Sequence, residues 1–167
     1  MRIWRICREP YAAFSGEGAR RFGGRWNSRG VPMVYASTSL ALAAIELFVH
    51  LEPGQAPGDL VFFSAELPEG EPARTLQPAD LLPDWWTDKN LAATRELGDA
   101  WIQIQPRIQP RTQPTARSSL AMLVPSVPIR AEWNVLLNPL HPCIGELRID
   151  PPQPFVFDAR MFQQTRP

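Results

Sequence analysis

The chain has 167 residues, which is enough for one domain of ordinary size, and 44% of them are hydrophobic, which is enough to close a core. Lys+Arg and Asp+Glu number 17 each, so the formal net charge is zero and the basic excess that phosphate-backbone binding requires is missing. Neither a signal-peptide-like apolar run after Met1 nor an apolar run of about 18 residues that would span a membrane is present, and we expect a cytoplasmic protein without direct nucleic-acid binding.

The scattered distribution of 19 prolines indicates many short elements joined by turns. The patterning predicts strands at 3–7 and 31–36, a buried helix at 40–51, a strand at 60–67, a helix at 88–101, and strands at 120–124, 145–149 and 155–157. Helices are too few for regular βαβ alternation. We therefore expect a single α+β domain, residues 1–167, with a mixed, mostly antiparallel sheet and flanking helices.

Two stretches look like loops rather than regular elements. Five glycines between residues 16 and 30 surround Arg25 and Trp26, where the backbone is able to approach a ligand closely. Residues 103–118 contain a Gln-Pro-Arg unit nearly three times, which cannot form a helix and has too little apolar surface to fold alone. We predict an exposed loop insertion there.

Glu46 is the only formally charged side chain of the predicted helix 40–51. Burying an unpaired charge is costly, so this carboxylate is expected to pair with a cation such as Arg25 or Arg5, to collect hydrogen bonds, or to face a cleft. His50 lies four residues further on, within side-chain reach of Glu46 on the same helical face, although a lone histidine is more often a packed core residue.

Arg25 and Tyr35 are the next candidates. Arg25 follows two glycines and precedes Trp26, a setting in which a planar cation is able to hold a phosphate or carboxylate, the alternative being a solvated surface arginine. Tyr35 ends a predicted strand just before the helix, so its ring stands either at the mouth of the same cleft or in ordinary strand packing.

The segment from 124 to 142 places small polar groups between prolines, as loops that line sites often do. Ser126 lacks the Gly-x-Ser-x-Gly context of an acyl-transfer nucleophile and is better explained by a hydrogen bond to a ligand or a turn. Glu46, His50 and His141 form only a weak metal motif, so no metal is expected. Cys7 and Cys143 are too few for a disulfide framework or a cysteine-built zinc site, and we expect buried free thiols.

Several ordered blocks together resemble the RES domain family, the toxin half of bacterial RES-Xre toxin-antitoxin systems. The resemblance covers nearly the whole chain. It is carried by Trp4-Arg5-Ile6, Phe14 to Ala19, Gly23-Gly24-Arg25-Trp26-Asn27 with Gly30, Val34-Tyr35, Ala44 to Leu47 with His50-Leu51, Pro125-Ser126, and Asn134 through Pro139 to His141-Pro142. The connection at 103–118 is longer than the family leads us to expect.

The resemblance implies a fold similar to ADP-ribosyltransferases, with a cleft that binds NAD+ and with Arg25, Tyr35, Glu46 and Ser126 as name-giving or pocket residues. Breaking the nicotinamide-ribose bond passes through an oxocarbenium-like state that a carboxylate stabilises, and we assign that role to Glu46. By the same resemblance the other side chains contact the dinucleotide. Arg25 would hold the diphosphate or ribose edge, Tyr35 would stack on the nicotinamide, Ser126 and Asn134 would orient the dinucleotide, and His50 would support Glu46 or touch the ligand.

The family further implies growth arrest through NAD+ depletion, an Xre-type helix-turn-helix antitoxin that blocks the cleft, and a homodimer within the toxin-antitoxin complex. The acceptor of ADP-ribose stays open between water, inorganic phosphate and a protein. A non-catalytic binding module, in which Glu46 is a structural ion-pair partner, and a metal hydrolase are the alternatives from other classes.

Overall fold

The computed structural model describes residues 1–9, 14–52, 57–71, 73–103 and 119–162. In that part of the chain the strands are β1 (Arg2–Arg8), β2 (Val34–Ser37), β3 (Leu60–Glu66), β4 (Ala73–Thr75), β5 (Ala121–Pro125), β6 (Trp133–Leu137), β7 (Arg148–Ile149) and β8 (Gln153–Pro154). The α-helices are α1 (Glu17–Phe22), α2 (Leu40–Phe48) and α3 (Leu91–Gln103). None of these helices is long and apolar enough to cross a membrane.

The strands form one sheet in the order β4-β5-β6-β2-β1-β3-β7, with β8 also paired to β3. Only β4 and β5 run parallel, and every other pair in the described sheet is antiparallel. The expectation of an α+β fold with a mixed, mostly antiparallel sheet is therefore confirmed.

The two faces of the sheet carry different side chains, because residues paired across strands point to the same side. Ser37 pairs with Trp4 on β1 and with Asn134 on β6, and Tyr35 pairs with Leu136. These residues define one face, which we call the site face. It is partly covered by the cluster that contains Trp26, Met33, Trp85, Trp101, Met122 and Leu136. The opposite face packs a second buried cluster, which includes Ile3, Val34, Ala36, Val135 and Leu137.

Most predicted elements are present, with shifted ends. The strands predicted at 3–7, 60–67 and 120–124 correspond to β1, β3 and β5, and the helix predicted at 88–101 is α3 preceded by a 3-10 turn. The strand predicted at 31–36 begins only at Val34. Of the predicted insertion 103–118, all but residue 103 lies outside the described residues.

Other predictions were wrong. The helix predicted at 40–51 is present as α2 but stops at Phe48, and the expectation that it is buried was wrong, since only Leu42 and Ala43 among its residues are buried. Of the strand predicted at 145–149, residues 145 and 146 belong to a 3-10 turn and only 148 and 149 form a strand, β7. Residues 155–157 are not a strand, and the strand that pairs with β3 next to them is β8. The sequence analysis also missed α1, β4 and β6.

Candidate functional site

Glu46 is held on the site face by a chain of hydrogen bonds. The hydroxyl of Ser39 accepts a hydrogen bond from the Leu42 N–H and caps the start of α2, which carries Glu46 half-buried near its other end. The side-chain amide of Asn134 donates to Oε1 of Glu46. The Ser37 hydroxyl donates to Oδ1 of Asn134 over 2.7 Å, which turns the NH2 group of that amide toward the carboxylate.

The salt bridge that was considered for Glu46 is not formed. Arg5 instead donates from Nη1 to the carbonyl oxygen of Tyr35 over 2.9 Å. Arg25 is engaged elsewhere, and no other described cation is ion-paired with Glu46. Glu46 is therefore oriented by a hydrogen bond from a neutral amide and not by an ion pair with any described cation.

Arg25 is a fixed cation rather than a solvated one. Its side chain is only 21% exposed, and Nη1 donates to the carbonyl oxygens of Trp85 at 3.2 Å and Thr87 at 3.4 Å. Its nearest carboxylate is Asp88, 3.6 Å from Nη2 and 96% exposed, so that pairing is weak. The guanidinium is thus oriented by neutral oxygens, and its charge is left largely available to an anion.

The hydroxyl of Tyr35 forms hydrogen bonds with other groups of the protein. It accepts a hydrogen bond from the Trp26 N–H at 3.0 Å and donates to Oδ1 of Asn27 at 2.7 Å. Burial raises the pKa of Tyr35 well above its usual range, so the phenol stays protonated and able to donate. The backbone of Gly24 passes so close to this hydroxyl that a Cβ there would overlap it. Tyr35 therefore shapes the segment Gly24–Ser28, which we call the arginine loop.

Asn27 and Ser37 are site residues that sequence reasoning did not single out. Asn27 has no exposed surface, and its Nδ2 donates to the carbonyl oxygens of Ala19 and Val31, both at 2.9 Å. Its position in a glycine-rich block was visible in the sequence. The link from Ser37 to Asn134 joins residues 97 positions apart, and the sequence carries no local signal for it.

Ser126 and His50 lie apart from the hydrogen-bonded chain of Glu46. Ser126 is fully buried, and its hydroxyl accepts the Ile129 N–H at 3.1 Å, which closes the turn after β5. His50 is exposed in the turn that follows α2, so it is not a packed core residue. Direct contact of either residue with a ligand stays a prediction.

His141 belongs to a different group of side chains from Glu46. It is buried beside Glu71 and Cys143, the one set of described residues whose candidate ligand atoms lie together, within 4.8 Å of one another. Cys143 and Cys7 are free thiols as expected, but half-buried rather than buried. The weak motif of Glu46, His50 and His141 therefore does not form a common centre.

The structure thus brings two groups to the site face. On α2 and β6, Glu46 meets Asn134. On β2, Tyr35 meets the arginine loop, which carries Arg25. The carboxylate is oriented by an amide on β6, and the cation is oriented by backbone carbonyls and lies on a loop that β2 contacts. Because β6 and β2 are neighbouring strands, this arrangement is suited to a ligand that carries an electrophilic carbon at one end and an anionic group at the other.

Comparison with known proteins adds sequence and fold relatives. The model of the RES domain matches residues 2–158. "Toxin Res" of Yersinia enterocolitica is 32% identical, over 96% of this chain and 99% of that protein. The "Prs ADP-ribosylating toxin" of a Sphingobium species is 34% identical, over 98% of both chains.

Among solved structures, a chain of the crystal structure of the M. tuberculosis MbcT-MbcA toxin-antitoxin complex superposes with a TM-score of 0.66. The match covers 96% of this chain and 86% of that chain at 18% identity, and it shows a shared fold.

Proposed function

The chain belongs to the RES domain family, and on that premise we propose that it is the toxin of a toxin-antitoxin system and cleaves the nicotinamide-ribose bond of NAD+. The observation that carries the proposal is the half-buried carboxylate of Glu46, oriented by Asn134 and free of any described ion-pair partner. Loss of NAD+ would then arrest growth of the cell.

Glu46 assists cleavage of the nicotinamide-ribose bond. The bonding electrons leave with nicotinamide, which departs as a neutral molecule, and positive charge develops on the ribose ring. A carboxylate fixed beside the ribose stabilises that charge more strongly than it stabilises the ground state. Asn134 keeps the carboxylate in place, and water or inorganic phosphate adds to the anomeric carbon, with release of a proton.

Arg25 supplies the anchor for the other half of the substrate. A planar guanidinium binds two phosphate oxygens at once, and the carbonyls of Trp85 and Thr87 hold this one before the ligand arrives. The exposed carboxylate of Asp88 is displaced at little cost, because surface ion pairs contribute little stability. We assign the NAD+ diphosphate to this position.

The remaining predicted residues keep subordinate roles in the proposal. The ring of Tyr35 stacks against the nicotinamide end while its hydroxyl holds the arginine loop. Ser126, whose hydroxyl also holds the turn after β5, orients the dinucleotide together with Asn134. His50 touches the ligand or Glu46 from the exposed turn after α2. We also propose that residues 1–167 are one RES-type domain acting in the cytoplasm, with 103–118 as a loop insertion.

The test is to incubate purified, partner-free protein with NAD+, with and without phosphate, and to identify the products by mass. Wild type should release nicotinamide, and Glu46→Gln, which keeps the shape of the side chain, should release it at least about a hundredfold more slowly. Glu52→Gln is the matched control, because Glu52 is an exposed carboxylate just beyond α2. The product that accompanies nicotinamide identifies the acceptor.

Two results would contradict the proposal. Intact NAD+ with folded wild-type protein would exclude simple cleavage. A Glu46→Gln protein that loses its fold together with its activity would favour the non-catalytic alternative, in which the carboxylate is structural. Circular dichroism and thermal melting of both variants distinguish these cases.

A second function, transfer of ADP-ribose to a protein, is favoured by one observation. The Sphingobium relative at 34% identity is named an ADP-ribosylating toxin. The same cleft would perform this reaction if a protein side chain took the place of water. Labelled NAD+ incubated with cell lysate would then leave label on a discrete protein, and no label would appear on any protein if water or phosphate is the acceptor.

We further propose a cognate Xre-type antitoxin with a helix-turn-helix that covers the cleft, and a homodimer of this chain within the complex. The fold is shared with a chain of a toxin-antitoxin complex, and the zero net charge leaves DNA binding to the partner. Adding the purified partner should stop nicotinamide release, and size measurement of the complex should give two copies of this chain.

A further inference from the structure

Helix α3 is fastened to the arginine loop through the loop's main chain. The hydroxyl of Thr94, which is 1% exposed, donates to the carbonyl oxygen of Arg25 over 2.8 Å. One turn later the helix carries Gly98, where a Cβ would overlap the carbonyl oxygen of Trp26. A glycine inside a helix lowers helix stability, so its presence here is explained by the close approach of the loop.

Two charged side chains of α3 hold the ends of the loop. Nε of Arg95 donates to the carbonyl oxygen of Gly24 over 2.8 Å, and Oδ1 of Asp99 accepts the Ser28 N–H over 2.9 Å. Hydrogen bonds between a charged side chain and a backbone group are stronger than neutral ones. Both ends of the loop are therefore tied to the same helix.

The spacing of these residues puts them on one side of α3. Positions 94, 95, 98 and 99 follow the i, i+1, i+4, i+5 pattern of a single helical face. All of these contacts are made to backbone atoms of the loop. They therefore fix the position of the Arg25 Cα without restraining the Arg25 side chain. The side chain is then steered separately by the carbonyls of Trp85 and Thr87, just before α3.

We propose that Thr94, Arg95 and Asp99 are positioning residues that hold Arg25 in the conformation that binds the diphosphate of NAD+. The inference rests on the proposed function, since it takes NAD+ as the ligand of Arg25. None of the three touches the substrate. They act through the arginine loop, and they lower the entropy that the loop loses when NAD+ binds.

The decisive variants are at position 99. Asp99→Ala removes the acceptor of the Ser28 N–H, whereas Asp99→Asn keeps an acceptor oxygen in the same place. Glu96→Gln is the matched control, because Glu96 is exposed on the same helix and makes no hydrogen bond to the loop. Two quantities are measured for each protein: amide hydrogen exchange of the peptide covering 23–29, and KM and kcat for nicotinamide release.

Asp99→Ala should exchange faster in 23–29 and raise KM for NAD+ about tenfold, with a smaller change in kcat. Asp99→Asn should recover most of both effects, and Glu96→Gln should match wild type. If Asp99 had a merely structural role, Asp99→Ala would lower the melting temperature and the apparent kcat but leave KM unchanged. The reason is that the molecules that remain folded would bind NAD+ as wild type does.

Unchanged exchange in Asp99→Ala would overturn the inference, and so would faster exchange with an unchanged KM. If wild type neither cleaves nor binds NAD+, the proposed function fails and the assignment of these residues to NAD+ fails with it. The exchange data then separately decide whether α3 holds the loop, so the two failures are distinguishable.

Discussion

Replacing Tyr35 with phenylalanine tests the conclusion that its hydroxyl organises the arginine loop. The change keeps the ring and removes one oxygen, which leaves Oδ1 of Asn27 and the Trp26 N–H without their partner. Asn27 is completely buried, so water cannot replace the lost hydrogen bond without a rearrangement. An unsatisfied buried group costs roughly 1–3 kcal/mol, and two of them together give about 2–6 kcal/mol.

For a chain of this size, that loss of stability corresponds to a fall in melting temperature of roughly 4–24 °C. Thermal and urea unfolding followed by circular dichroism would measure it. KM for NAD+ should rise as well, because the loop carries Arg25, whereas stacking on the nicotinamide is kept by the phenyl ring. A Tyr35→Phe protein that melts within about 1 °C of wild type would refute the reasoning.

Three further outcomes follow from the described contacts. Asn134→Leu should lower kcat for nicotinamide release about tenfold or more in a folded protein, because Glu46 loses a charge-assisted hydrogen bond, and kinetics with purified protein checks it. Burial and a hydrogen bond to Glu146 raise the pKa of Cys143 to about 11, so its alkylation rate, followed by mass spectrometry, should keep rising above pH 9 and level off only above pH 11. Ser126→Ala should lower the free energy of unfolding by about 1 kcal/mol in urea titrations, since a backbone N–H loses its acceptor.

The fold could be predicted from the sequence where apolar patterning is local and strong. β1, β3 and β5 are dominated by apolar residues, and each was predicted within one or two positions. The strand β6 was missed because Asn134 within it, Asn138 just after it and the nearby prolines resemble a loop. Its strand character comes from pairing with β2 and β5 on both sides. Such non-local pairing leaves little trace in a short window of sequence.

The candidate site residues could be named from the sequence, whereas the contacts between them could not. A lone carboxylate in an apolar helix and an arginine after two glycines are unusual enough to indicate function. Their hydrogen-bond partners, however, depend on the register of the β-strands and on where α3 packs. Neither can be predicted from the spacing of residues within a short segment. Of the alternatives expected for Glu46, the hydrogen-bonded one is observed, since a neutral amide on β6 donates to the carboxylate.

Chelation distinguishes NAD+ cleavage from metal-dependent hydrolysis. Nδ1 of His141 accepts the Cys143 N–H at 3.2 Å, so a neutral ring carries its proton on Nε2, which faces Oε2 of Glu71 at 4.0 Å. A protonated ring nitrogen cannot ligate a cation, and Glu46 lies with Asn134 instead of with this group. Nicotinamide release should therefore continue at the wild-type rate in excess EDTA, with the melting temperature unchanged. If EDTA abolished activity and added zinc restored it, a metal would take part in the reaction. His141 would then have to adopt the other tautomer, and the roles of Glu46 and Arg25 would have to be reassigned.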